Sequence, residues 1–384
     1  MDCKINKKHI MLLGLFSLGV IFRYMVMTLG YNYDFESYCI VGEIASNFRN
    51  VYAETTRYNY APIFLCIQGL LYRISLVKPD EHELIYRVLI VTVLTLTDLG
   101  ITAFIAYRYS YLKALLFFLN PVSIIITGYH NQFDNIAVLF ALLSSLYFNE
   151  ERNFSKKDFG FIFMFTLSLL TKHILFLLPV FILLMRRLPF KKKVLYAFVP
   201  PTLFLLSFIP FALSSNEALQ GIINNVFLYR SFNNAPLLGF IYKLINFPSE
   251  PRFLIYCILM VFTAWIVRER PYDQVIMIYL ISMVTFSSAI ANQYLAIPMA
   301  ALCSMNVGKW KYIYMIVCSI FLFLDVDGFN AQRIIQSVLP GSIINSIGSL
   351  YIKIWYNLAA WILFFSLIHL YRKFRKGKSL IEIA

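Results

Sequence analysis

The chain has 384 residues, 60% of them hydrophobic and only 14% charged, with a mean hydropathy of +0.69. A soluble protein would carry about a quarter charged residues, so this composition excludes a soluble globular enzyme. The net charge of +14 is no nucleic-acid signal either. The Lys and Arg residues gather in short turns on one expected side of a membrane, as the positive-inside rule requires.

Lys4, Lys7 and Lys8 precede an apolar run over about 10–28. It is too long for a signal peptide and lacks a small-residue cleavage site, so it reads as a retained first helix that ends outside. A long polar connection follows over about 29–83 and opens with Tyr31-Asn-Tyr-Asp-Phe-Glu-Ser-Tyr38. Asp34 and Glu36 lie there at a membrane surface, where a carboxylate is either hydrated or put to chemical use. The pair suits a general base at the mouth of a membrane-embedded cleft; the plainer reading is an ordinary hydrated loop. A surface helix is expected over about 37–47. The apolar run 63–76 is short and interrupted by Gln68 and Arg73. If it crossed, the basic turn at Arg108 would fall outside, so it reads as an interfacial or re-entrant helix.

Further helices are expected over about 84–106, 114–127 and 136–148. The apolar stretch 159–185 has basic clusters at both ends, Lys156-Lys157 and Arg186-Arg187. One crossing cannot keep both flanks on one side, so two short helices should meet at Thr171-Lys172-His173. A span over about 194–213 leads to a second outer loop, 214–252. Spans near 253–267, 274–289, 294–305, 312–324 and 352–370 complete an all-α polytopic membrane protein of about twelve transmembrane helices. Residues 1–384 form a single integral-membrane domain in this reading, with both termini inside. The six cysteines are scattered, with no metal-ligand spacing and no disulfide framework. No internal repeat of the transporter kind is visible.

This topology gathers the polar clusters on the outer face. They are Asp34 with Glu36; His130, Asn131, Gln132 and Asp134; Lys172 with His173; and Asn292, Gln293 and Tyr294, to which Arg230 is a candidate addition. Each has a structural alternative. Asp134 is a good helix N-cap, and Lys172 can snorkel to the interface or hold a buried anion. Gln293-Tyr294 can be a helix-end interface pair. Arg23 and Asp98, both within spans, each balance a neighbouring polar group in this reading and carry no catalytic role.

The order of these signals resembles the GT-C superfamily of glycosyltransferases, membrane enzymes that use polyprenyl-phosphate sugars. Asp34-Phe-Glu36 matches the acidic motif of that family's first outer loop. Asn50-Val-Tyr-Ala-Glu-Thr-Thr-Arg-Tyr-Asn-Tyr-Ala-Pro62 is similar to an aromatic-Pro loop of GPI mannosyltransferase I. Gly128 to Asp134 looks like the Gly-Gln-x-Asp turn of that enzyme and its bacterial relatives, with Asn131 where a Gly is expected. Leu170-Thr-Lys-His173 resembles the superfamily's half-helix junction, and Phe286 to Leu295 its late Gln-Tyr element.

The resemblance implies a GT-C fold with juxtamembrane helices in the first outer loop. It also implies inverting transfer of a hexose, mannose or glucose first, from a polyprenyl-phosphate sugar. The acceptor would be a glycan, a lipid-linked glycan or a protein on the periplasmic, extracellular or lumenal face, with the bacterial cell membrane favoured over the endoplasmic reticulum. Membrane lipid is the other partner. The lipid-phosphate sugar is a co-substrate, and use of a divalent metal stays open. Asp34 would be the base, with Glu36 and Asp134 orienting hydroxyls. Lys172, joined by Arg230, would meet the leaving phosphate. Tyr58, Tyr60, His130, Gln132, His173, Gln293 and Tyr294 would bind substrate. A polytopic transporter or lipid-glycan flippase is the alternative from another class, and should instead line a path near the midplane. A polymerase of the O-antigen type would prefer a large late outer loop.

Overall fold

The computed structural model describes residues 7–229, 251–326 and 341–377, together with 236–239, 242, 245, 248 and 380. The described residues are 76% helical and contain no strand. In chain order the helices are α1 (Lys7–Met27), α2 (Tyr33–Ser46), α3 (Val51–Glu54), α4 (Pro62–Ser75), α5 (His82–Arg108), α6 (Tyr111–Phe118), α7 (Pro121–Gly128), α8 (Asp134–Tyr147) and α9 (Lys156–Thr171). They continue as α10 (Leu178–Leu184), α11 (Phe190–Leu206), α12 (Ile209–Ala212), α13 (Asn216–Gly221), α14 (Arg252–Val267), α15 (Tyr272–Phe286), α16 (Met299–Ser304), α17 (Trp310–Leu324) and α18 (Gly341–Arg375).

Among the described residues, three helical segments are long and apolar enough to cross a membrane: Pro79–Arg108, Phe190–Ala212 and Ile354–Arg375. The count rises to five if each of two bent pairs is one span, and six shorter apolar helices of 10–17 residues stand beside them. The set is compatible with an integral membrane protein. The twelve crossings expected from hydropathy are not confirmed, because several apolar runs among the described residues are broken into shorter pieces.

The breaks have local causes. The helix expected over 114–127 is two helices, α6 and α7, bent by 47°. Asn120 accepts a hydrogen bond from the Val122 amide at 2.8 Å and Pro121 starts α7; a proline lacks the amide needed to continue α6. The expected span 294–305 reduces to a 3-10 turn, Asn292–Leu295, and the six-residue α16. The stretch 159–185 is two helices bent by 113°, as the basic flanks required. There α9 ends at Thr171, Lys172 is extended (φ −155°, ψ 130°), and a 3-10 turn over His173–Leu175 precedes α10. The Tyr279 hydroxyl donates to the Ile174 carbonyl at 2.7 Å and fixes this apex to α15.

Two buried apolar clusters organise the bundle. The larger one runs through α5, α7, α8, α9, α10, α15, α17 and α18. The smaller one holds the first loop down. Phe35, Tyr38 and Val41 of α2, Tyr52 of α3 and Phe64 of α4 pack there with Tyr86 of α5 and Phe133. The short apolar helix expected over 63–76 is α4. It buries Phe64, Leu65 and Leu71 and exposes Leu70 and Ile74.

Arg23 and Asp98 pair with each other. Arg23 Nη2 lies 2.8 Å from Asp98 Oδ2 with both side chains fully buried. Ser123 and Thr127 donate to the same oxygen at 3.0 and 2.8 Å, and Asn135 donates to Oδ1 at 2.6 Å. Arg23 also donates to the carbonyls of Gly19 and Phe118. The network ties α1, α5, α6, α7 and α8 together. It demands close approach: a Cβ on Gly128 would lie 2.4 Å from the Arg23 carbonyl oxygen.

Candidate active site

Asp34 sits in the first turn of α2, whose N-cap is Asn32. The Asp34 amide donates to Asn32 Oδ1 at 3.2 Å, and Asn32 Nδ2 donates back to Asp34 Oδ2 at 3.1 Å. Gln132 Nε2 donates to the same carboxylate oxygen in a short hydrogen bond. The second proton of the same Asn32 Nδ2 reaches His130, donating to Nδ1 at 3.2 Å. Nδ1 is therefore the acceptor nitrogen, and Nε2 carries the proton of the neutral ring. That proton points toward Asp325 Oδ2, 3.9 Å away. Asn292 donates to Asp325 at 2.6 Å, and Tyr356 donates to Asn292 Oδ1 at 2.6 Å. Burial pushes the His130 imidazole down to about 3, so the ring is uncharged at neutral pH.

The loop carrying His130 and Gln132 turns sharply at Asn131, whose φ of 55° lies in the left-handed region. That conformation favours glycine and is tolerated by asparagine. The Asn131 side chain returns to the carbonyls of Thr127 and Gly128 at 3.1 and 2.9 Å, satisfying the end of α7. Asn131 thus holds a turn whose backbone ordinarily calls for glycine.

Lys172 and Asp134 form a buried ion pair at 2.7 Å. Asp134 opens α8, where Phe133 is the N-cap, so Asp134 is not the cap anticipated from sequence. Its second oxygen, Oδ1, is buried without a hydrogen-bond partner. The Lys172 ammonium lies 4.9, 5.0 and 6.0 Å from the ring centroids of Tyr60, Phe133 and Tyr294. The buried anion beside Lys172 is thus a protein carboxylate, and it comes from α8.

Beside this pair lies a cavity of about 550 Å³. Tyr60, Lys172, His173, Gln293 and Tyr294 line it, with Tyr229, Phe253 and Tyr256 on the apolar side. His173 Nδ1 is buried without a partner. The Tyr60 phenol is raised well above its usual range, first by burial and then by the carboxylates Asp134 and Asp34. One wall residue therefore feels both acidic groups, and Tyr60 borders the Asp34 network on one side and the cavity on the other.

The remaining sequence candidates divide. Glu36 is exposed and is not among the partners of the Asp34 network; two residues along a helix turn it to another face. Tyr58 is buried behind the wall. Its hydroxyl donates to the Ala61 carbonyl at 2.6 Å and accepts from the Leu65 amide at 2.9 Å, so it shapes the turn into α4 and does not reach the cavity. His130 and Gln132 are buried as well and hold Asp34 from behind, with no place on the cavity wall. Arg230 lies outside the described residues.

Sequence reasoning missed Asn32 and Asp325. Asn32 carries a signal, since an Asn two residues before an acidic helical turn is a capping pattern. Asp325 carries a weaker one, a carboxylate ending an apolar run. Arg57 was also missed: its guanidinium lies 4.1 Å from the Tyr33 ring centroid and donates to the Ser37 hydroxyl at 3.2 Å, one turn from Asp34. Among the described residues, no three His, Cys, Asp or Glu side chains come together as a metal site.

This geometry defines, at the coarse level, an all-helical bundle of apolar helices with a buried polar site beneath a docked acidic loop. Comparisons with protein-family models, curated proteins and solved structures return no match.

Proposed function

We propose that the chain is an inverting glycosyltransferase that moves a hexose from a polyprenyl-phosphate sugar to an acceptor hydroxyl on the outer face of a membrane. The single observation that carries this reading is the juxtaposition across Tyr60. A hydrogen-bonded carboxylate, Asp34, stands on one side, and a cavity bearing the Lys172 ammonium stands on the other. Inverting transfer from a sugar phosphate needs a base for the acceptor and a cation for the leaving group.

The acceptor hydroxyl gives its proton to Asp34 as its oxygen attacks the anomeric carbon. The bond from that carbon to the phosphate oxygen breaks on the opposite face, and the phosphate leaves with the electron pair. Its growing charge falls toward Lys172. A phosphate leaves without acid protonation, which suits a site where the cavity wall carries a cation. Asn32 and Gln132 hold the Asp34 carboxylate in place, and Asp134 holds Lys172 at the wall. His130 positions Asn32 as an uncharged group. Mannose and glucose are the first donors to test, and the isoprenoid tail would lie between helices.

The test is incubation of purified protein in lipid nanodiscs with radiolabelled polyprenyl-phosphate mannose or glucose and a panel of glycan acceptors. Label on an acceptor with release of polyprenyl phosphate supports the reading. Donor that crosses the bilayer unconsumed would point to a flippase instead.

A further inference from the structure

At the opposite, basic end of the bundle, α14, α15 and α18 enclose a second cavity of about 320 Å³. It is an apolar groove, with Phe262, Ile266, Phe286, Phe364, Leu367 and Phe374 on its walls. From Phe364 to Phe374 the lining follows α18 for about 15 Å at the helical rise of 1.5 Å per residue. That is about the hydrocarbon depth of one leaflet. Phe262, Trp265 and Tyr371 along the groove are exposed, so its flank faces the surroundings of the bundle.

Arg270 closes the basic end. Its guanidinium carbon lies 3.7 Å from the Phe374 ring centroid, and its Nε is buried without a hydrogen-bond partner. The nearby carboxylates are taken by other arginines: Glu269 by Arg186 at 2.7 Å, and Asp273 by Arg108 at 3.3 Å. Arg187 adds like charge beside Arg270. Arg372, Lys373 and Arg375 in the last turn of α18 add more. Leu380 is buried at this end, its carbonyl accepting from the Asn306 amide at 2.9 Å. The groove thus combines one leaflet of apolar depth with a half-buried cation whose Nε has no hydrogen-bond partner and on which Glu269 acts only at a distance.

We infer that this groove binds one acyl chain of an anionic phospholipid from the leaflet at the basic end, with the headgroup phosphate on Arg270. The apolar length sets the chain, and the Arg270 cation selects the headgroup charge. By the positive-inside rule this is the cytoplasmic leaflet, where anionic lipids concentrate. The inference does not rest on the proposed transfer reaction, because the site is at the other end of the bundle from Lys172.

The full-length protein, delipidated in detergent, is titrated with phosphatidylglycerol or phosphatidylcholine of identical chains, and bound lipid is read by native mass spectrometry. Phosphatidylglycerol should bind more tightly. Arg270→Gln should weaken it about fivefold, toward the phosphatidylcholine level, and Arg270→Lys should keep the preference. Leu367→Trp, which fills the groove, should weaken both lipids. Glycerol phosphate alone should not bind. If Arg270→Gln does not fold, the Arg270→Lys and Leu367→Trp results decide. Equal binding of the two lipids by the native chain overturns the inference, as does full preference in Arg270→Gln or undiminished binding in Leu367→Trp. Binding of glycerol phosphate as strong as that of the whole lipid would make this a soluble-anion site and also overturn it.

Discussion

Lys172 Nζ lies 2.7 Å from Asp134 Oδ2, and both side chains are buried. The two residues come from different helices and meet where a break in one faces the first turn of the other. Breaking a buried pair by removing one partner costs about 3–5 kcal/mol, whereas replacing both by apolar residues is often neutral. Lys172→Met should therefore lower the melting temperature clearly, and Lys172→Met with Asp134→Leu should recover most of it. Transfer activity should stay lost in both, because the cavity has lost its cation. Recovery of transfer in the double variant would reduce Lys172 to a structural role.

Asp34→Asn is expected to leave expression and melting temperature near wild type while transfer falls by about a hundredfold or more. The amide can keep a hydrogen bond to the capping residue Asn32 but cannot take the acceptor proton. Near-normal turnover in a folded Asp34→Asn protein would rule out the base assignment.

Glu36 sits two residues from Asp34 yet is exposed. Glu36→Gln should change turnover by less than about twofold, since an exposed carboxylate away from the site contributes little. A loss as deep as that of Asp34→Asn would mean that α2 presents its other face to substrate. Side-by-side steady-state rates decide this.

His130 is buried, and its ring is held down to about 3, against an ordinary value of about 6.5 in an unfolded chain. Between these values the unfolded state binds the proton and the folded state does not, so stability falls as pH falls through this window and is fully present above it. The slope is about 1.4 kcal/mol per pH unit for one such group. His130→Gln should show a shallower loss of melting temperature between pH 6.5 and 4 than the native chain. Parallel pH profiles would show that His130 already carries its proton in the fold.

Arg23 and Asp98 share a fully buried ion pair at 2.8 Å with three further donors on Asp98. Asp98→Asn or Arg23→Met should each destabilise by about 3–5 kcal/mol. Neither should alter the affinity of a folded protein for donor, because no atom of the pair lines the cavity. A change in donor affinity at unchanged melting temperature would place this pair in the site.

Composition and hydropathy by themselves determined that the chain is helical and apolar, and local sequence determined where many helices start. The separate short helix α4 and the bend at Lys172 were both legible. Each follows from charge placement or a stop in apolar periodicity within a few residues. The breaks at Asn120-Pro121 and around Gln293 were not, because hydropathy averages over such short interruptions of an apolar run. The site was legible only as a set of clusters. That Asp134 neutralises Lys172, that Asn32 joins Asp34 to His130, and that Glu36 points away depend on which helix faces which, and this is decided by packing. Phe133 illustrates the reason. Its ring stacks on Phe64 at 3.6 Å and meets Tyr60 edge-on at 4.8 Å, pinning the first loop onto α8. Contacts between residues this far apart in the chain arise from burial of apolar surface, which has no direction along the sequence, so only the tertiary structure brings Tyr60, Lys172 and Asp34 to one place.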